Sequence, residues 1–469
     1  MTTLSREFVE GALSSRGVAL GASVPEDLGE ISTDTRTITG ERFFLALVGE
    51  RFDAHDFVAD ALAAGARAVV AARDRVPAAA DRSRLILVDD TLLALQDLAA
   101  AHLDALTARR VALTGSNGKT STKELAAACL RACLGDDAVL ATAGNLNNHV
   151  GLPLTALRLE TQHRAAVFEM GMNHLGEIAR LCEIARPEAG LITNIGTAHA
   201  GNLGGVEGVA RAKGELFEAL PSSGTGVVNL DDARCVLEAK ARLTARALTF
   251  GRDPGADLRI IAVENAEPSG LRVTLAFAGR EVTARVPLDG EHNALNAAGA
   301  VGLALALGLD FERAARGLEG ARGVEGRLLR KVAAAGALVL DDTYNANPDS
   351  MRAGLAALAA LAGGRRRVAA LGQMLELDDP KAAHREVGRA AVERGVERLF
   401  ACGDLGRGYG EGAAEAGLAP ERFTWAKDSA ALADLVAREL GPGDAVLVKG
   451  SRGARMENVV DRLVRGEVR

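Results

Sequence analysis

A short glycine-bounded turn carries the clearest chemistry in the chain. Residues 115–120, Gly-Ser-Asn-Gly-Lys-Thr, follow an apolar run and precede a segment whose apolar residues recur at a helical period. Backbone N–H groups at such a strand–turn–helix junction point toward an anion. Lys119 can neutralise a β/γ-phosphate pair, and the Thr120 hydroxyl can face magnesium. Position 113 is leucine, not the glycine of the longer GxxxxGK[ST] loop, so we predict a shorter phosphate turn, with a chance loop as the alternative.

Two further apolar runs end in residues suited to binding a metal ion. Glu169 ends one run and His199 follows another, and both runs are typical of strands in a parallel sheet. The carboxyl ends of parallel strands open on one edge, so we expect both side chains near Lys119. A carboxylate at the end of an apolar strand needs a cation partner, and magnesium at Thr120 would be one. The alternatives are a helix-capping Glu169 and a hydrogen-bonded loop His199.

The sequence alone assigns no role to several amide and amine side chains near these runs. A loop contains Asn145, Asn147 and Asn148, which can orient phosphates or a carboxylate, or can simply form turns. Lys213 lies near the middle of the helical segment 204–220. Composition alone does not distinguish it from a solvated lysine.

A second group of polar residues follows three later elements. Its members are His292, Asn293, Asn296, Asp341, Asp342, Tyr344, Asn345, Asn347, Lys449, Ser451 and Arg452. The first three open an apolar helix, where polar residues often cap. Asp342 ends a strand, and a carboxylate there suits a ribose hydroxyl or caps a helix. The donors at 449–452 follow another strand and favour an anionic ligand.

Composition argues against several classes of protein. The chain has 469 residues, a net charge of −7 and 3% aromatic residues, which argues against a nucleic-acid surface. The first residues are charged where a signal peptide would be apolar, and the longest apolar stretch, 297–309, is too short to span a bilayer. The five scattered cysteines are typical of small core residues. We expect a cytoplasmic protein with no membrane span and no nucleic-acid partner.

Strand-like and helix-like runs alternate along the chain, which predicts an α/β fold with mostly parallel sheets. One joint is predicted near residues 89–90, where a strand passes into a helix. A second is predicted in the glycine-rich stretch 318–327. These joints divide the chain into three predicted domains, 1–88, 89–318 and 319–469, each within the usual size of a domain.

Taken together, these segments resemble the Mur ligase family of bacterial cell-wall synthesis over nearly the whole chain. The resemblance rests on "ISTDTR", "GERFFLALVGERFDAHDF", "TGSNGKTSTKE", "GNLNNHVGLPLT", "FEMGMNHLGEI", "NIGTAHAGNLGG", "ARAKGE", "DDTYNANPDSM" and "VLVKGSRGARMENVV". The phosphate turn alone is shared with folylpolyglutamate synthase. Its combination with "DDTYNANPDS" and "KGSR" is strongly specific to the Mur ligases.

The resemblance implies a fold and a reaction. The first domain would bind a uridine nucleotide, the second would be a P-loop-type ATPase with a mostly parallel sheet, and the third would be Rossmann-like and close over the site. The reaction would join D-Ala-D-Ala to UDP-MurNAc-tripeptide with ATP, through an acyl phosphate, in a monomer. The sister ligase that adds the third residue carries a DNPR sequence, which is absent here. That ligase, folylpolyglutamate synthase and a non-catalytic nucleotide switch are the alternatives.

The resemblance also implies roles for individual residues. ATP would be bound by Thr114, Gly115, Ser116, Asn117, Gly118, Lys119, Thr120 and Ser121, with Asn296, Arg327 and Asp342 at the adenosine. Two magnesium ions would be held by Thr120, Glu169, His199 and a carbamylated Lys213. The UDP sugar would face Thr35, Arg36 and Asp53. The reacting carboxylate and the dipeptide would face Asn345, Lys449, Ser451 and Arg452. Catalysis would involve Lys119, His199, Lys213 and Asn145.

Overall fold

The computed structural model describes residues 3–49, 52–76, 81–197 and 200–465. The chain forms two compact units. The first unit comprises Met1–Ala112, Leu134–Gly171 and Glu177–Glu188, and the second comprises Leu113–Cys133, Met172–Gly176 and Ala189–Arg469.

The first unit begins with a six-stranded sheet. Its strands are β1 (Leu4–Ser5), β2 (Ala19–Leu20), β3 (Asp27–Ser32), β4 (Arg42–Leu45), β5 (Val69–Ala72) and β6 (Leu85–Val88), and its helices are α1 (Arg6–Ala12), α2 (Val58–Ala63) and α3 (Thr91–Asp104). The strand order is β1-β3-β4-β5-β6-β2. Strands β3 to β6 run parallel, and the two-residue strands β1 and β2 run antiparallel at the edges. Every residue of β5 is buried, as expected of a central parallel strand.

The middle of the chain contributes nine strands and eight helices. The strands are β7 (Arg109–Thr114), β8 (Val139–Ala141), β9 (Ala165–Glu169), β10 (Ala189–Ile192), β11 (Thr225–Asn229), β12 (Arg246–Gly251), β13 (Leu258–Asn265), β14 (Leu271–Phe277) and β15 (Arg280–Val286). The helices are α4 (Lys119–Leu134), α5 (Gly151–Ala156), α6 (Glu177–Ala185), α7 (Ala200–Leu203), α8 (Val206–Glu218), α9 (Ala233–Arg242), α10 (His292–Ala306) and α11 (Phe311–Gly317). The division between the units falls inside β7.

Parallel pairing dominates these strands, as the sequence predicted, but not throughout. In the second unit, β10 to β13 pair in parallel, whereas β13, β14 and β15 form an antiparallel meander. The meander strands alternate buried and exposed residues, because one face of an antiparallel sheet can remain in water. In the first unit, β8 and β9 pair in parallel.

The remainder of the second unit is a doubly wound layer structure. Its strands are β16 (Leu329–Val332), β17 (Leu338–Asp342), β18 (Arg366–Gly372), β19 (Arg398–Cys402), β20 (Phe423–Ala426) and β21 (Asp444–Lys449), and its helices are α12 (Pro348–Leu361), α13 (Pro380–Glu393), α14 (Arg407–Glu415), α15 (Ser429–Glu439) and α16 (Glu457–Arg465). The order is β16-β17-β21-β18-β19-β20, parallel except for β16.

Helices cover both faces of this last sheet. Helices α12, α13 and α14 pack on one face against Leu340 and Leu447, and helices α15 and α16 pack on the other against Val339 and Val446. Successive strand residues point to opposite faces, which explains the continuous apolar runs of β17 and β21. This layering is the Rossmann-like arrangement that the family resemblance implied.

The structure also bears on the predictions about the cysteines and about membrane-spanning helices. All five cysteines are free thiols, and four of them are buried, in agreement with small core residues. Among the described helices, none combines the length and the apolar character needed to cross a bilayer.

Candidate active site

The predicted phosphate turn joins β7 to the first residue of α4, and two glycines set its shape. Gly115 has φ +153°, and a Cβ there would lie 1.8 Å from Thr193 Oγ1. Gly118 has φ +80°, and a Cβ there would lie 2.4 Å from Asn296 Oδ1. A side chain is therefore excluded at both positions by contact as well as by backbone conformation. The close contact also places Asn296, on the first turns of α10, directly against the turn.

Residues after strand β10 hold the backbone of the turn. The Ser116 N–H donates to Asn194 O at 2.9 Å, and the Asn117 N–H donates to Asn194 Oδ1 at 2.9 Å. Thr193 Oγ1 donates to Asn117 O at 2.6 Å. These contacts orient the start of α4, whose first N–H groups have no partner within the helix and point to an anion site. Lys119 Nζ donates to Gly115 O at 2.5 Å and so lies folded over the turn.

A cavity of about 500 Å³ opens beside the turn, entirely within the second unit. The predicted site residues that line it are Asn117, Gly118, Thr120, Ser121, Asn296, Arg327, Asp342 and Lys449. Its volume is within the range of pockets for ligands the size of a nucleotide. A small adjoining cavity of about 60 Å³ is lined by Ser116, Lys119 and residues 345–347. The structure thus places the phosphate turn and the predicted adenosine residues around two cavities that share part of their lining.

Lys213, on α8, is 1% exposed. Burial lowers the pKa of its ammonium well below the usual value of 10.5, and the charge of Lys119 lowers it further, against a weak opposing effect of Cys235. Among the described residues, no carboxylate forms an ion pair with Lys213. The side chain is therefore a buried amine that favours its neutral form, quite unlike a solvated lysine.

Two residues that the sequence assigned to different ligands pair with each other. Lys449 Nζ lies 2.6 Å from Asp342 Oδ2 and also donates to Asn345 O at 2.9 Å. Strands β17 and β21 are neighbours, and Asp342 and Lys449 are paired in register at their ends. Burial lowers the pKa of Lys449, and Asp342 opposes that shift. Both residues line the large cavity, but they form an ion pair there.

The remaining acceptor residues lie around a second cavity of about 140 Å³. Asn345, Ser451 and Arg452 line it. Ser451 is buried, and its hydroxyl donates to Ala346 O at 3.2 Å and accepts from Leu375 N–H at 2.9 Å. Ser451 therefore holds two backbone segments together.

The cation of Arg327 lies over an aromatic ring. Its guanidinium carbon is 4.1 Å from the centre of the Tyr344 ring, and that of Arg452 is 5.7 Å from the same centre. Arg327 lines both the large and the small cavity. A planar cation held by an aromatic ring at this point can face a phosphate or a sugar.

Glu169, at the end of β9, belongs to the first unit together with the asparagine loop. It is 2% exposed, and its Oε1 accepts from Asn147 Nδ2 at 2.8 Å. Asn148 Oδ1 accepts from the N–H groups of Val150 and Gly151, which is a turn-forming role. The backbone carbonyl of Asn145 accepts from the Asn147 N–H at 2.8 Å. The asparagine loop, for which the sequence allowed two roles, thus partly forms a turn and partly supports Glu169.

The predicted uridine-site residues also lie in the first unit. Arg36 pairs with Asp34 at 2.7 Å, next to Thr35 in a short 3₁₀-helix. Asp53 Oδ1 lies 2.6 Å from His55 Nδ1, and Asp53 Oδ2 accepts from Arg75 at 2.7 Å. Although burial opposes the shift, these hydrogen bonds hold the pKa of Asp53 at about 2.

The predicted metal ligands belong to both units, and one of them lies outside the described residues. His199 lies outside them, as do Glu50 and Arg51 of the "GERFD" stretch. Within the described ranges, no three or more His, Cys, Asp and Glu side chains form a group that could hold a metal ion. Thr120 and Lys213 belong to the second unit and Glu169 to the first. The ligand set therefore stays a prediction, as do the roles of the other site residues.

Sequence reasoning missed Asn194 and Asp349, and it named Asn347 without predicting its contact with the turn. Asn347 Nδ2 donates to Asn117 Oδ1 at 2.8 Å, across 230 positions of sequence. Asp349 Oδ2 accepts from the Thr197 N–H at 3.2 Å. Asn194 could have been found, because it follows an apolar strand just as Glu169 does. The contact of Asn347 with the turn has no signal in the sequence, because its partner is distant along the chain.

Comparisons with known proteins agree over most of the chain. Residues 113–304 match the Mur ligase middle domain, residues 326–452 match the Mur ligase glutamate ligase domain, and residues 28–103 match the Mur ligase family catalytic domain. The UDP-N-acetylmuramoyl-tripeptide–D-alanyl-D-alanine ligase of Escherichia coli is 39% identical and covers 98% of both chains. The ligase of the same name from Bacillus subtilis is 37% identical and covers 92% of this chain and 93% of its own.

Solved structures show the same similarity. A crystal structure of MurF from Acinetobacter baumannii superposes with a TM-score of 0.88 at 32% identity, covering 99% of both chains. MurF ligase from Thermotoga maritima in complex with ADP superposes with a TM-score of 0.79 at 27% identity, covering 93% of this chain and 97% of its own. Folylpolyglutamate synthase from Mycobacterium tuberculosis, at 18% identity and a TM-score of 0.63, shares the fold.

Proposed function

Because this chain belongs to the Mur ligase family, we propose that it joins D-Ala-D-Ala to UDP-MurNAc-tripeptide and converts ATP to ADP and phosphate. The chain is an ATP-dependent ligase of three α/β domains that forms a C–N bond. The observation that carries the substrate assignment is similarity along nearly the full length to ligases of that name.

The chemical difficulty is that a carboxylate resists attack by an amine. In the proposed reaction a tripeptide carboxylate oxygen attacks the γ-phosphorus of ATP, and the bond from phosphorus to the β,γ-bridging oxygen breaks to release ADP. The dipeptide amine then attacks the acyl carbon, loses a proton, and phosphate leaves as the amide forms. The protein contributes mainly by positioning groups and stabilising charge, as in other phosphoryl transfers.

The phosphate turn supports the first step. Its rigid backbone and the first turn of α4 would hold the β- and γ-phosphates, and Lys119 would move from Gly115 O to the transferring phosphoryl group. Asn296, Arg327 and Asp342 would hold the adenosine in the large cavity. Closure of the 319–469 domain would exclude water, which otherwise hydrolyses the acyl phosphate.

The residues around Lys119 and Lys213 fit a site for magnesium held through a carbamate. The Lys213 amine is buried, favours its neutral form and pairs with no carboxylate among the described residues. A neutral amine can attack carbon dioxide, forming an N–C bond and releasing a proton, which replaces a cation by a carboxylate. With Thr120, Glu169 and His199, this carbamate would complete the ligands. Magnesium, when bound, neutralises charge on the phosphates.

The domain boundaries at 88 and 318 and the uridine-site roles of Thr35, Arg36 and Asp53 belong to the same proposal. Asn345, Lys449, Ser451 and Arg452 would face the reacting carboxylate and the dipeptide, and Asn145 would assist catalysis. We expect a monomer that works in the cytoplasm.

The test is ligation by the purified chain. We expect phosphate release with ATP, magnesium and UDP-MurNAc-tripeptide to rise strongly when D-Ala-D-Ala is added, with the pentapeptide product found by mass spectrometry. Phosphate release with a folate and glutamate instead would favour folylpolyglutamate synthase activity. ATP turnover that no amine acceptor changes would favour a nucleotide switch and would reject the ligase assignment.

A further inference from the structure

Asp349, in the first turn of α12, has a carboxylate that no role assigned so far uses. Its Oδ2 accepts from the Thr197 N–H at 3.2 Å and from the Thr197 hydroxyl at 3.3 Å. Its Oδ1 accepts from Arg352, one turn later in the same helix, at 2.6 Å. Arg352 therefore orients the carboxylate within α12, and the free edge of the carboxylate contacts a loop 152 positions earlier in the chain.

The backbone beside Thr197 leaves room only for this carboxylate. A Cβ at Gly196 would lie 2.4 Å from Asp349 Oδ2 and 3.7 Å from Ser116 Cβ. A side chain at position 196 would displace the end of the Asp349 side chain, because real Cβ atoms do not approach so closely. Glycine at this position thus permits the close approach of Asp349 to the loop.

The loop in question supports the phosphate turn, and we call residues 193–197 the support segment. Its first two residues form hydrogen bonds with the backbone of Asn117. Near its other end, Gly196 O accepts from Ser116 Oγ at 3.1 Å, and the Gly196 N–H donates to the same hydroxyl at 2.9 Å. The conformation of the turn therefore depends on the position of this segment.

Two carboxylates hold the support segment from different elements. Asp232, the N-cap of α9, accepts from the Ile195 N–H at 2.8 Å through its Oδ2. Asp349 accepts from Thr197, two positions further along. Asp232 lies in the predicted domain 89–318, and Asp349 lies in the predicted domain 319–469. All of these residues belong to the second unit.

The start of α12 also contacts the turn directly. Asn347 is the N-cap of this helix, in a capping box with Ser350, and its Nδ2 donates to Asn117 Oδ1 at 2.8 Å. The capping box fixes the first turn of the helix, so the positions of Asn347 and Asp349 are linked. One helix start thus contacts the phosphate turn at Asn117 and contacts its support segment at Thr197.

We propose that Asp349 is a positioning residue for phosphoryl transfer. It holds Gly196 and Thr197 so that Ser116 keeps the phosphate turn in the geometry in which the γ-phosphate reacts, and it touches no substrate itself. This inference rests on the proposed ligase function and extends it, because it makes the geometry of the turn depend on a residue of the predicted last domain. A group that acts on the reacting geometry changes kcat more than KM.

The test compares Asp349→Ala and Asp349→Asn with wild type in steady-state phosphate release. We expect Asp349→Ala to lower kcat about five- to tenfold, the lower range for a hydrogen bond to a charged group, because the Asp349 side chain is 36% exposed. The KM values for ATP, UDP-MurNAc-tripeptide and D-Ala-D-Ala should stay within about twofold of wild type. Asp349→Asn keeps an oxygen that accepts from the Thr197 N–H, so it should recover most of the lost kcat.

Asp428→Ala is the matched control for stability. Asp428 also lies at a helix start in the predicted last domain, but it accepts from the Ala431 N–H of its own helix, α15, at 2.8 Å. We expect this variant to lower the melting temperature through loss of the helix cap while kcat stays within about twofold of wild type. A loss of kcat specific to Asp349→Ala is then not a general effect of destabilising the domain.

A double-mutant cycle tests the route through Ser116. Ser116→Ala removes both hydrogen bonds to Gly196, so adding Asp349→Ala to it should lower kcat by less than about twofold further. The same five- to tenfold factor in both backgrounds, a wild-type kcat in Asp349→Ala, or an Asp349→Asn variant as slow as Asp349→Ala would overturn the inference and leave the ligase function intact. A wild-type chain that forms no amide would instead reject both.

Discussion

Two regions of the second unit contain buried lysines whose charges are balanced differently. In the turn region, which comprises residues 115–121 and Lys213, Lys119 and Lys213 lie close enough for the charge of one to lower the pKa of the other. In the paired-strand region, at the ends of β17 and β21, Lys449 lies 2.6 Å from Asp342. A second pair there, Lys331 and Asp341, is 2.9 Å apart.

This difference indicates which region is suited to chemistry. The Lys119 cation and the buried Lys213 amine, which forms no ion pair with a carboxylate among the described residues, favour an incoming anion such as a phosphate. The charges in the paired-strand region already compensate each other, and their ion pair joins the ends of β17 and β21. Lys213 and Lys449 are buried to a similar extent. The two regions differ in whether a carboxylate lies beside the buried lysine.

The largest expected effect comes from removing the buried amine of the turn region. Lys213→Gln should lower kcat by about 10³-fold, the upper range for loss of one charge-stabilising group, because no carbamate can form. Lys240→Gln, which removes an exposed lysine of the neighbouring α9, is the control and should retain activity. Normal turnover by Lys213→Gln, measured as phosphate release, would show that the two regions do not differ in this way.

Removing one partner of the paired-strand region should instead cost stability. Lys449→Met leaves Asp342 without its cation, in a position where the Asp342 side chain is 14% exposed. We expect the free energy of unfolding to fall by about 3–5 kcal/mol in denaturant titration. The double variant Lys449→Met/Asp342→Leu should recover part of this loss. A double variant as unstable as the single one would argue that the pair is not the cause.

A substitution at Gly118, compared with one at Gly135, separates the effect of backbone strain from that of the contact with Asn296. Gly118→Ala would suffer both a positive φ and a Cβ that lies 2.4 Å from Asn296 Oδ1, so we expect a loss of about 1–3 kcal/mol in stability and a higher KM for ATP. Gly135→Ala also has a positive φ, but its nearest neighbour is 4.0 Å away. The control should therefore lose stability without a change in the KM for ATP. Equal KM values would contradict a nucleotide at Asn296.

The smallest effect is a difference in pH dependence, measured without carbon dioxide. The pKa of Lys213 is lowered on folding, so below pH 10.5 the unfolded chain binds a proton that the folded chain releases. Relative to Lys213→Met, wild type should therefore gain stability as pH rises toward 10.5, by at most about 1.4 kcal/mol per pH unit. The same comparison with Lys449→Met should give this gain over a narrower pH range, because Asp342 opposes the shift of Lys449. Equal pH ranges would remove the distinction between the regions.

Local patterns predicted much of the fold. The strand, turn and helix at 109–134 and the helix that opens at His292 were expected and are present. The antiparallel meander at 258–286 departs from the predicted parallel pairing. Alternation at a period of two was the signal that could have revealed it.

The site was predicted less completely than the fold. Asp342 and Lys449 lie at strand ends, as the sequence predicted, but their pairing depends on which strands are neighbours, which one sequence does not specify. The reason to single out Lys213 came from a family resemblance, since its burial depends on the packing of α8 and not on its neighbours in sequence.

The sequence by itself determined the phosphate turn, because glycine flexibility and helical period act over a few residues. It also determined the alternation of strands and helices that leads to parallel sheets. Only the tertiary structure decided the contact of Asn347 with Asn117 and the ion pair of Lys449 with Asp342. Those features depend on burial and on contacts between residues far apart in the chain. A polar or charged group that is buried away from solvent is costly unless it has such a partner.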